Sequence, residues 1–180
     1  MNRMHSWYEH ILKKDYIYKL QNTNVLNFQK IDRVAINICV NSAINDSKQI
    51  LLCLTALELI TNQKPVTYRS RKSIAAFKLR KNVVIGAKLI LRKQNMYDFL
   101  DNFIFLALPK LNGFKGFKPL KIGSSNYVNF GIFDIAIFPQ VSDNADNFQK
   151  QIGATLTCIG NQKVQDMNLL LSSFQIPKRK

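Results

Sequence analysis

Apolar and polar residues alternate along residues 31–40, and this alternation predicts the first strand. A period of two is typical of a strand that buries one face and exposes the other. The apolar face would consist of Val34, Ile36, Ile38 and Val40. The opposite face would carry Arg33 and Asn37, so we expect this strand to present polar groups at a surface.

A second alternating segment, Gly86–Arg92, predicts another half-buried strand. Its polar face would carry Lys88 and Arg92. The residues expected to face the core are Ala87, Leu89 and Leu91. Three weaker segments are also expected to be extended, and they are 65–69, 126–133 and 153–159.

Helix signals occur in four other segments. Ser6 and Glu9 match a capping box, which predicts a helix from Ser6 to about Leu20. This helix would place three large apolar side chains near one face: Trp7, Ile11 and Tyr18. Further helices are expected over 47–61, over 95–108, where Pro109 would end the helix, and over 162–174.

These elements mix without a regular βαβ alternation, which predicts an α+β fold. We expect an antiparallel β-sheet packed on one face by helices, with long basic loops. The expected organisation is a single domain over 1–180, with an N-terminal helical arm over 1–25 and a basic tail over 175–180. The uncovered sheet face would be a polar and cationic platform suited to RNA, formed by Arg33, Asn37, Lys88 and Arg92.

The charge of the chain favours a polyanionic partner. Lys and Arg total 26 against 11 Asp and Glu, which gives a formal net charge of +15. Nucleic acid is the commonest partner for such a chain, and a membrane surface is the alternative. The cations fall mostly in loops and on strand faces rather than on one amphipathic helix, so a membrane partner is not expected.

Two basic segments interleave cations with Phe. The first holds Arg69, Arg71, Lys72, Lys78, Arg80 and Lys81 around Phe77, and the second holds Lys110, Lys115, Lys118 and Lys121 around Phe114 and Phe117. Cations neutralise phosphates, and exposed rings stack on unpaired bases. The alternative is a solvated loop whose rings are tucked under it, and for Phe77 anchoring and stacking both remain open.

Catalytic chemistry has little support in the sequence. The carboxylates and the two histidines, His5 and His10, form no acid–base cluster, and there is no phosphate-binding glycine loop or metal motif. We therefore predict no enzyme activity, no catalytic residue, no cofactor and no metal site. Cys39, Cys53 and Cys158 lie in separate apolar segments and are expected to be buried free thiols.

Residues 62–92 carry a specific resemblance. The segment contains Gln63-Lys64-Pro65, then Arg71-Lys72-Ser73-Ile74-Ala75-Ala76-Phe77-Lys78-Leu79-Arg80, then Ile85-Gly86-Ala87-Lys88. It resembles the large-subunit ribosomal proteins that bind 5S rRNA, family five in the universal numbering. Later segments also fit: Met96–Leu100, Ala107–Pro109, Phe114–Gly116, Asn126-Tyr127, Phe138-Pro139 and Phe174–Lys180.

The resemblance implies a fold and a set of partners. The fold is an antiparallel sheet backed by helices, at the central protuberance of the large subunit. The implied partners are 5S rRNA, large-subunit rRNA, P-site tRNA, a small-subunit bridge protein and neighbouring central-protuberance proteins. The rRNA contacts would be Arg33, Asn37, Gln63, Lys64, Lys88 and Arg92. The tRNA-facing loop, 69–82, would use Arg69, Arg71, Lys72, Ser73, Phe77, Lys78 and Arg80, and the bridge would lie near 110–145.

Some positions depart from the family pattern. Cys39 and Asn41 replace two glycines, Ile90 replaces a Thr, and Phe133 replaces an Arg. The N-terminus has no apolar segment typical of a signal peptide. Together with a composition rich in Asn, Ile, Lys and Phe, this favours a protein of a mitochondrial ribosome in the matrix, encoded in the organelle. The alternatives are a bacterial cytoplasmic protein for location, and a free RNA chaperone or RNA-processing factor for function.

Overall fold

The computed structural model describes residues 2–20, 29–40, 48–111, 114–117, 126–143, 151–161 and 164–177. Five strands form one sheet in the order β2-β3-β1-β5-β4. Their bounds are β1 Ile31–Cys39, β2 Val66–Arg69, β3 Val84–Leu91, β4 Tyr127–Ile132 and β5 Ala154–Gly160. The sheet is antiparallel and is accompanied by helices, so the predicted α+β class is confirmed.

The helical segments include several short turns. The α-helices are α1 Arg3–Trp7, α2 Lys13–Leu20, α3 Lys48–Thr61, α4 Lys93–Asn102, α5 Pro139–Ser142 and α6 Val164–Ser173. The π-helical turns are Tyr8–Leu12 and Phe103–Ala107, and the 3₁₀ turns are Ala75–Phe77, Leu108–Lys110 and Ile135–Ile137. No helix among the described residues is long and apolar enough to cross a membrane.

The first helix begins earlier than its capping box predicts. The Asn2 side chain accepts a hydrogen bond from the Met4 amide at 3.1 Å, and the Ser6 amide donates to the Asn2 carbonyl at 3.0 Å. Asn2 is therefore the N-cap, and the prediction of Ser6 as the cap was wrong. An acceptor four residues upstream starts the helix before the Ser6 hydroxyl is needed.

The buried face of this helix also differs from the predicted one. Trp7, Ile11 and Tyr18 are exposed, whereas the buried stripe consists of Met4, Tyr8, Leu12 and Tyr16. These four residues are spaced by four. The π-helical turn at Tyr8–Leu12 takes more residues per turn than an α-helix, which keeps the stripe in line.

The described chain divides into two compact units. The first consists of Met1–Val34, Arg92–Val128 and Cys158–Lys180, and the second of Ala35–Leu91 and Asn129–Thr157. In the first unit the Phe174 ring stacks on Tyr8 at 6.1 Å between centroids and lies 6.4 Å from Tyr97. The single-domain organisation over 1–180 stays a prediction.

In the second unit, α3 packs against β3 and α5 packs against α3. The alternating burial of β1 and β3 leaves one face of these strands open. Ile38, Leu57, Leu91, Ile135 and Leu156 are the largest fully buried side chains of this unit. Two of the predicted rRNA contacts of this unit, Asn37 and Lys88, lie on this open face.

Several boundaries and one burial prediction were wrong. β3 begins at Val84 and ends at Leu91, so Arg92 is not a strand residue but the N-cap of α4. Pro109 does not follow the helix directly, because it lies within the 3₁₀ turn Leu108–Lys110. Cys39 is exposed, because it shares the open face of β1 with Asn37. The turns at 135–142 have no counterpart among the predicted elements.

Part of the predictions falls on residues outside the described ranges. These residues are 21–25 of the predicted arm, Asn41, Ser47, residues 112–113, 118–125 and 144–145 of the predicted bridge region with Lys118 and Lys121, Gln162, and the basic residues 178–180. In the described part of the two termini, Met4 and Ile176 are both buried. At these two positions the described chain is packed into the first unit.

Candidate RNA-binding interface

β2 and β3 form a hairpin whose connection, residues 70–83, we call the hairpin loop. The strands pair antiparallel, with Val66 opposite Lys88 and Tyr68 opposite Gly86. Ser70 closes the base of the loop: its amide donates to the Val83 carbonyl at 2.9 Å, and its hydroxyl donates to the Arg80 carbonyl at 2.5 Å. The Ser70 side chain is buried by these contacts.

The tip of the hairpin loop has its own hydrogen bonds. Ile74 and Leu79 exchange backbone hydrogen bonds of 2.9 and 3.1 Å across the 3₁₀ turn Ala75–Phe77. Lys78 completes the turn in the left-handed region with φ 52°. The Ser73 hydroxyl accepts from the Lys81 amide at 3.0 Å. The segment predicted as a long loop is therefore an ordered extension of the hairpin, and Ser73 is one of its internal braces.

The cations of this hairpin are exposed to solvent. The exposed set is Arg69, Arg71, Lys72, Lys78, Arg80 and Lys81. None of them forms an ion pair with a carboxylate in the described part of the chain. Unpaired like charges on a short ordered loop repel one another, and an anionic partner removes that repulsion.

Phe77 lies among these cations with its ring in solvent. Its side chain is 69% exposed. Anchoring the loop would require the ring to be buried, so the geometry favours the stacking role over the anchoring one. Ala75 and Ala76 beside it are also exposed, which leaves the backbone of the tip open to close approach.

The open face of β1 and β3 in the second unit holds Asn37 and Lys88, both exposed. Tyr68 of β2 reaches across this face. Its hydroxyl donates to the Ile38 carbonyl at 3.2 Å, and its Cζ lies 2.6 Å from where a Cβ on Gly86 would stand. Such a Cβ would also collide with the Ile38 carbonyl oxygen. Only glycine allows this close approach, which is the physical reason for glycine after Ile85.

The Tyr68 hydroxyl stays protonated over the physiological range. Burial raises the pKa of Tyr68 to about 12, the Cys39 thiol raises it as well, and a hydrogen bond from the Asn37 amide opposes the shift. Tyr68 is thus joined to Asn37, which sequence reasoning placed in the site, although Tyr68 itself was missed. The available signal was Gly86, because a glycine inside a strand often marks a close approach.

The remaining predicted rRNA contacts occupy other elements. Gln63 is half-buried and Lys64 exposed in the turn between α3 and β2, where Asn62 ends α3 with φ 52°. Arg33 and Arg92 belong to the first unit. Arg33 lies 3.7 Å from the Asp32 carboxylate, and Arg92 is exposed at the start of α4. The structure therefore groups Asn37 and Lys88 on the second unit's open face, and Gln63 with Lys64 in a turn.

The second basic segment, described here at Lys110, Leu111 and 114–117, uses its rings differently. Phe114 contacts Phe117 edge-on at 4.8 Å, and Phe117 stacks on the buried Phe103 at 6.4 Å. The Phe117 amide also donates to the Pro177 carbonyl at 3.0 Å. Lys110 and Lys115 are exposed. The rings of this segment are tucked under it, as in the alternative considered above.

The buried thiols are poor nucleophiles. Burial raises the pKa of Cys53 to about 11 and that of Cys158 to about 12, so both stay protonated at neutral pH. Within the described ranges no group of three or more His, Cys, Asp or Glu side chains is arranged to hold a metal ion. The chemistry that the described surface offers is cationic, aromatic and hydrogen-bonding.

Comparison with known proteins gives the same family along most of the chain. The family model "Ribosomal protein L5" matches residues 24–80, and the model of the C-terminus of the same ribosomal family matches residues 84–178. Outside both matches lie residues 1–23, 81–83 and 179–180. The family-like motifs of residues 62–92 are divided between the two matches: those up to Arg80 lie in the first, and Ile85–Lys88 lies in the second.

Full-length relatives agree with the family models. The mitochondrial protein named large ribosomal subunit protein uL5m, from Reclinomonas americana, is 40% identical over 100% of both chains. Proteins named large ribosomal subunit protein uL5 are 36% identical in Syntrophomonas wolfei (99% of this chain, 100% of the relative) and 31% identical in Fusobacterium nucleatum (99% and 97%). The resemblance read from the motifs is confirmed, and the chain belongs to the ribosomal protein L5 family.

Proposed function

We propose that this protein is a structural constituent of the large ribosomal subunit, where it binds 5S rRNA and large-subunit rRNA at the central protuberance beside neighbouring proteins. Membership of the L5 family and the names of the full-length relatives support this role. The net charge of +15 supports a polyanionic partner.

The rRNA contacts proposed in the second unit are Asn37, Gln63, Lys64 and Lys88, and those in the first unit are Arg33 and Arg92. Asn37 and Lys88 support this assignment by their exposure on the open face of paired strands. An amide can read a base edge or a ribose, and an ammonium neutralises a phosphate. In this proposal Asn37 positions the RNA by a hydrogen bond, and Lys88 contributes a sequence-independent attraction to a phosphate.

The hairpin loop, together with Arg69 at the end of β2, is the proposed contact with P-site tRNA. One observation carries this proposal: the loop is braced by its own hydrogen bonds, its cations and Phe77 are exposed, and no carboxylate of the described residues pairs with these cations. A preordered loop loses little conformational entropy when it binds. Arg69, Arg71, Lys72, Lys78 and Arg80 would neutralise phosphates, Phe77 would stack, and Ser73 would keep the tip in shape.

The contact with a small-subunit protein is proposed for the region near 110–145. Lys110 and Lys115 are exposed there, and the packed rings of Phe114 and Phe117 fix the backbone that carries Lys115. Exposed cations on a fixed backbone suit an acidic protein surface.

The proposed location is the matrix, in a mitochondrial ribosome, with the gene in the organelle. The 40% identical mitochondrial relative supports this location. A bacterial ribosome is the alternative, which the bacterial relatives at 36% and 31% identity support.

The direct test is binding of the purified chain to its own organism's 5S rRNA and to a size-matched control RNA across a salt series. We expect tighter binding to 5S rRNA that persists at moderate salt, and a loss with Asn37→Ala or Gln63→Ala. Lys14→Ala, an exposed cation of α2, is the matched control. Equal binding to both RNAs, lost steeply with salt, would contradict a specific site and leave only phosphate attraction.

A further inference from the structure

Tyr68 occupies a position on the open face for which the family motifs assign no residue. Its ring lies over Gly86, and its hydroxyl is fixed to the carbonyl of Ile38 on the neighbouring part of the sheet. One face of the ring is therefore turned to the strands, and the other is turned away from them. The side chain is half-buried, so the ring is held and still accessible.

The described strand residues around this ring include an apolar, a polar and a cationic side chain. Val66, two residues before Tyr68 on β2, is 61% exposed, and Lys88 stands opposite Val66 in the β2–β3 pairing. The Asn37 amide interacts with the Tyr68 hydroxyl. On the described β1, β2 and β3 residues of the second unit there is no Asp or Glu.

We propose that Tyr68 is the floor of a binding site for one unpaired base of rRNA, with Asn37 at the edge of the base and Lys88 near its phosphate. The inference rests on the proposed function, in which this sheet face binds rRNA. It adds the chemistry of the ligand, which is a stacked base. It also adds Tyr68, a residue to which the family motifs assign no role.

The chemistry of the face favours a base over a peptide. A flat ring held against a strand offers a π-face that any base can stack on, and Val66 on the same strand gives it an exposed apolar flank. The adjacent cation fits the phosphate that every base brings with it. A peptide added to the edge strand β2 would use backbone groups and would leave the ring without a role.

The ring and the hydroxyl make separable contributions. The ring provides the stacking surface, so Tyr68→Leu is expected to weaken 5S rRNA binding by about 5- to 100-fold. Tyr68→Phe keeps the ring and removes the hydrogen bond to Ile38, so its loss is expected to be smaller. Because stacking involves no charge, Tyr68→Leu should leave the salt dependence unchanged, whereas Lys88→Ala should lower the slope by about 1.

The experiment measures affinity for 5S rRNA and melting temperature for wild type, Tyr68→Leu and Tyr68→Phe, with Tyr18→Leu as the control at the 84% exposed Tyr18. The ordered losses above are expected in variants that are still folded at the temperature of the titration, with a lower melting temperature because both lose the hydrogen bond to Ile38. Wild-type affinity in Tyr68→Leu would overturn it. Failure of the wild type to prefer 5S rRNA would instead contradict the proposed function, so the two failures are distinguishable.

A second measurement does not depend on the stability of a variant. Wild-type protein is irradiated with 5S rRNA carrying 5-bromouridine, and the crosslinked peptides are identified by mass spectrometry. The expected result is a nucleotide adduct on Tyr68 of the wild-type protein. Adducts on other open-face residues without one on Tyr68 would overturn the inference, as would adducts on the hairpin loop alone.

Discussion

The hairpin loop and the second basic segment look alike in sequence and differ in structure. Both interleave lysines or arginines with phenylalanines. In the hairpin loop, Phe77 is 69% exposed, whereas Phe114 and Phe117 pack on each other and on Phe103. A basic and aromatic composition therefore does not decide whether a ring binds a partner or holds a loop in place.

The difference follows from what lies beneath each segment. The hairpin loop extends beyond two paired strands and is stabilised by hydrogen bonds from Ser70 and Ser73, so its order does not depend on a buried ring. The second segment follows the end of a helix whose buried Phe103 offers an apolar surface to Phe117. Where hydrogen bonds provide the order, the ring is free for recognition.

The largest effect should come from removing charge in the hairpin loop. We expect Arg71→Ala/Lys72→Ala to weaken binding of a tRNA acceptor–T arm about 100-fold at roughly 50 mM salt and to lower the salt slope by about 2, because two phosphate contacts are lost. Filter binding across a salt series measures both. Lys110→Ala/Lys115→Ala is the matched control. An equal loss of affinity in that variant would contradict the proposed difference between the two segments.

The next effect should be on stability rather than on binding. Phe117→Ala is expected to lower the free energy of unfolding by about 2 kcal/mol, less than for a fully buried ring, because Phe117 is half-buried against Phe103 and Phe114. Urea unfolding followed by circular dichroism provides the value. Unchanged stability would show that this ring does not fix the segment.

The third prediction concerns the exposed ring. Phe77→Ala should change the free energy of unfolding by less than about 0.5 kcal/mol, since the ring buries little surface. It should weaken binding of the acceptor–T arm about tenfold through lost stacking. Phe77→Leu is the size-matched variant for the same titration. If leucine restored full affinity, the contact would be apolar rather than stacked.

The smallest effect should come from the brace at the base of the hairpin loop. Ser70→Ala removes the hydrogen bond to the Arg80 carbonyl, which should reduce the free energy of unfolding by about 1 kcal/mol. Binding of the acceptor–T arm should fall about fivefold, because the loop must then be ordered on binding. Hydrogen exchange of the Asn82 amide, which donates to Ser70, should quicken in the variant. Slow exchange in both proteins would argue against the brace.

The sequence predicted the sheet better than the surface on it. Alternation identified β1 because Ile36 and Ile38 are buried against a covered face, and the same alternation places Cys39 beside Asn37 on the open side. The prediction of a buried Cys39 was wrong because it relied on the apolar residues around Cys39. The alternation of the strand instead puts Cys39 on the same face as Asn37. Fold class depends on many such positions and tolerates one error.

The features that the sequence could not provide depend on contacts between distant residues. Tyr68 reaches the site through Gly86 and the carbonyl of Ile38, which lies 30 residues away in the chain. The packing of Phe117 depends on stacking with Phe103 and on the hydrogen bond from its amide to the Pro177 carbonyl. Local composition does not show which distant residues a side chain contacts. The two similar basic segments therefore could not be distinguished from the sequence.

The most direct test of the contrast is ultraviolet crosslinking in ribosomes of the source organism with tRNA bound in the P site. RNA-linked peptides of this protein are isolated and sequenced by mass spectrometry. We expect tRNA adducts within residues 70–83, including Phe77, and none on Phe114 or Phe117. RNA adducts on Phe114 or Phe117, with the hairpin loop unmodified, would contradict this expectation.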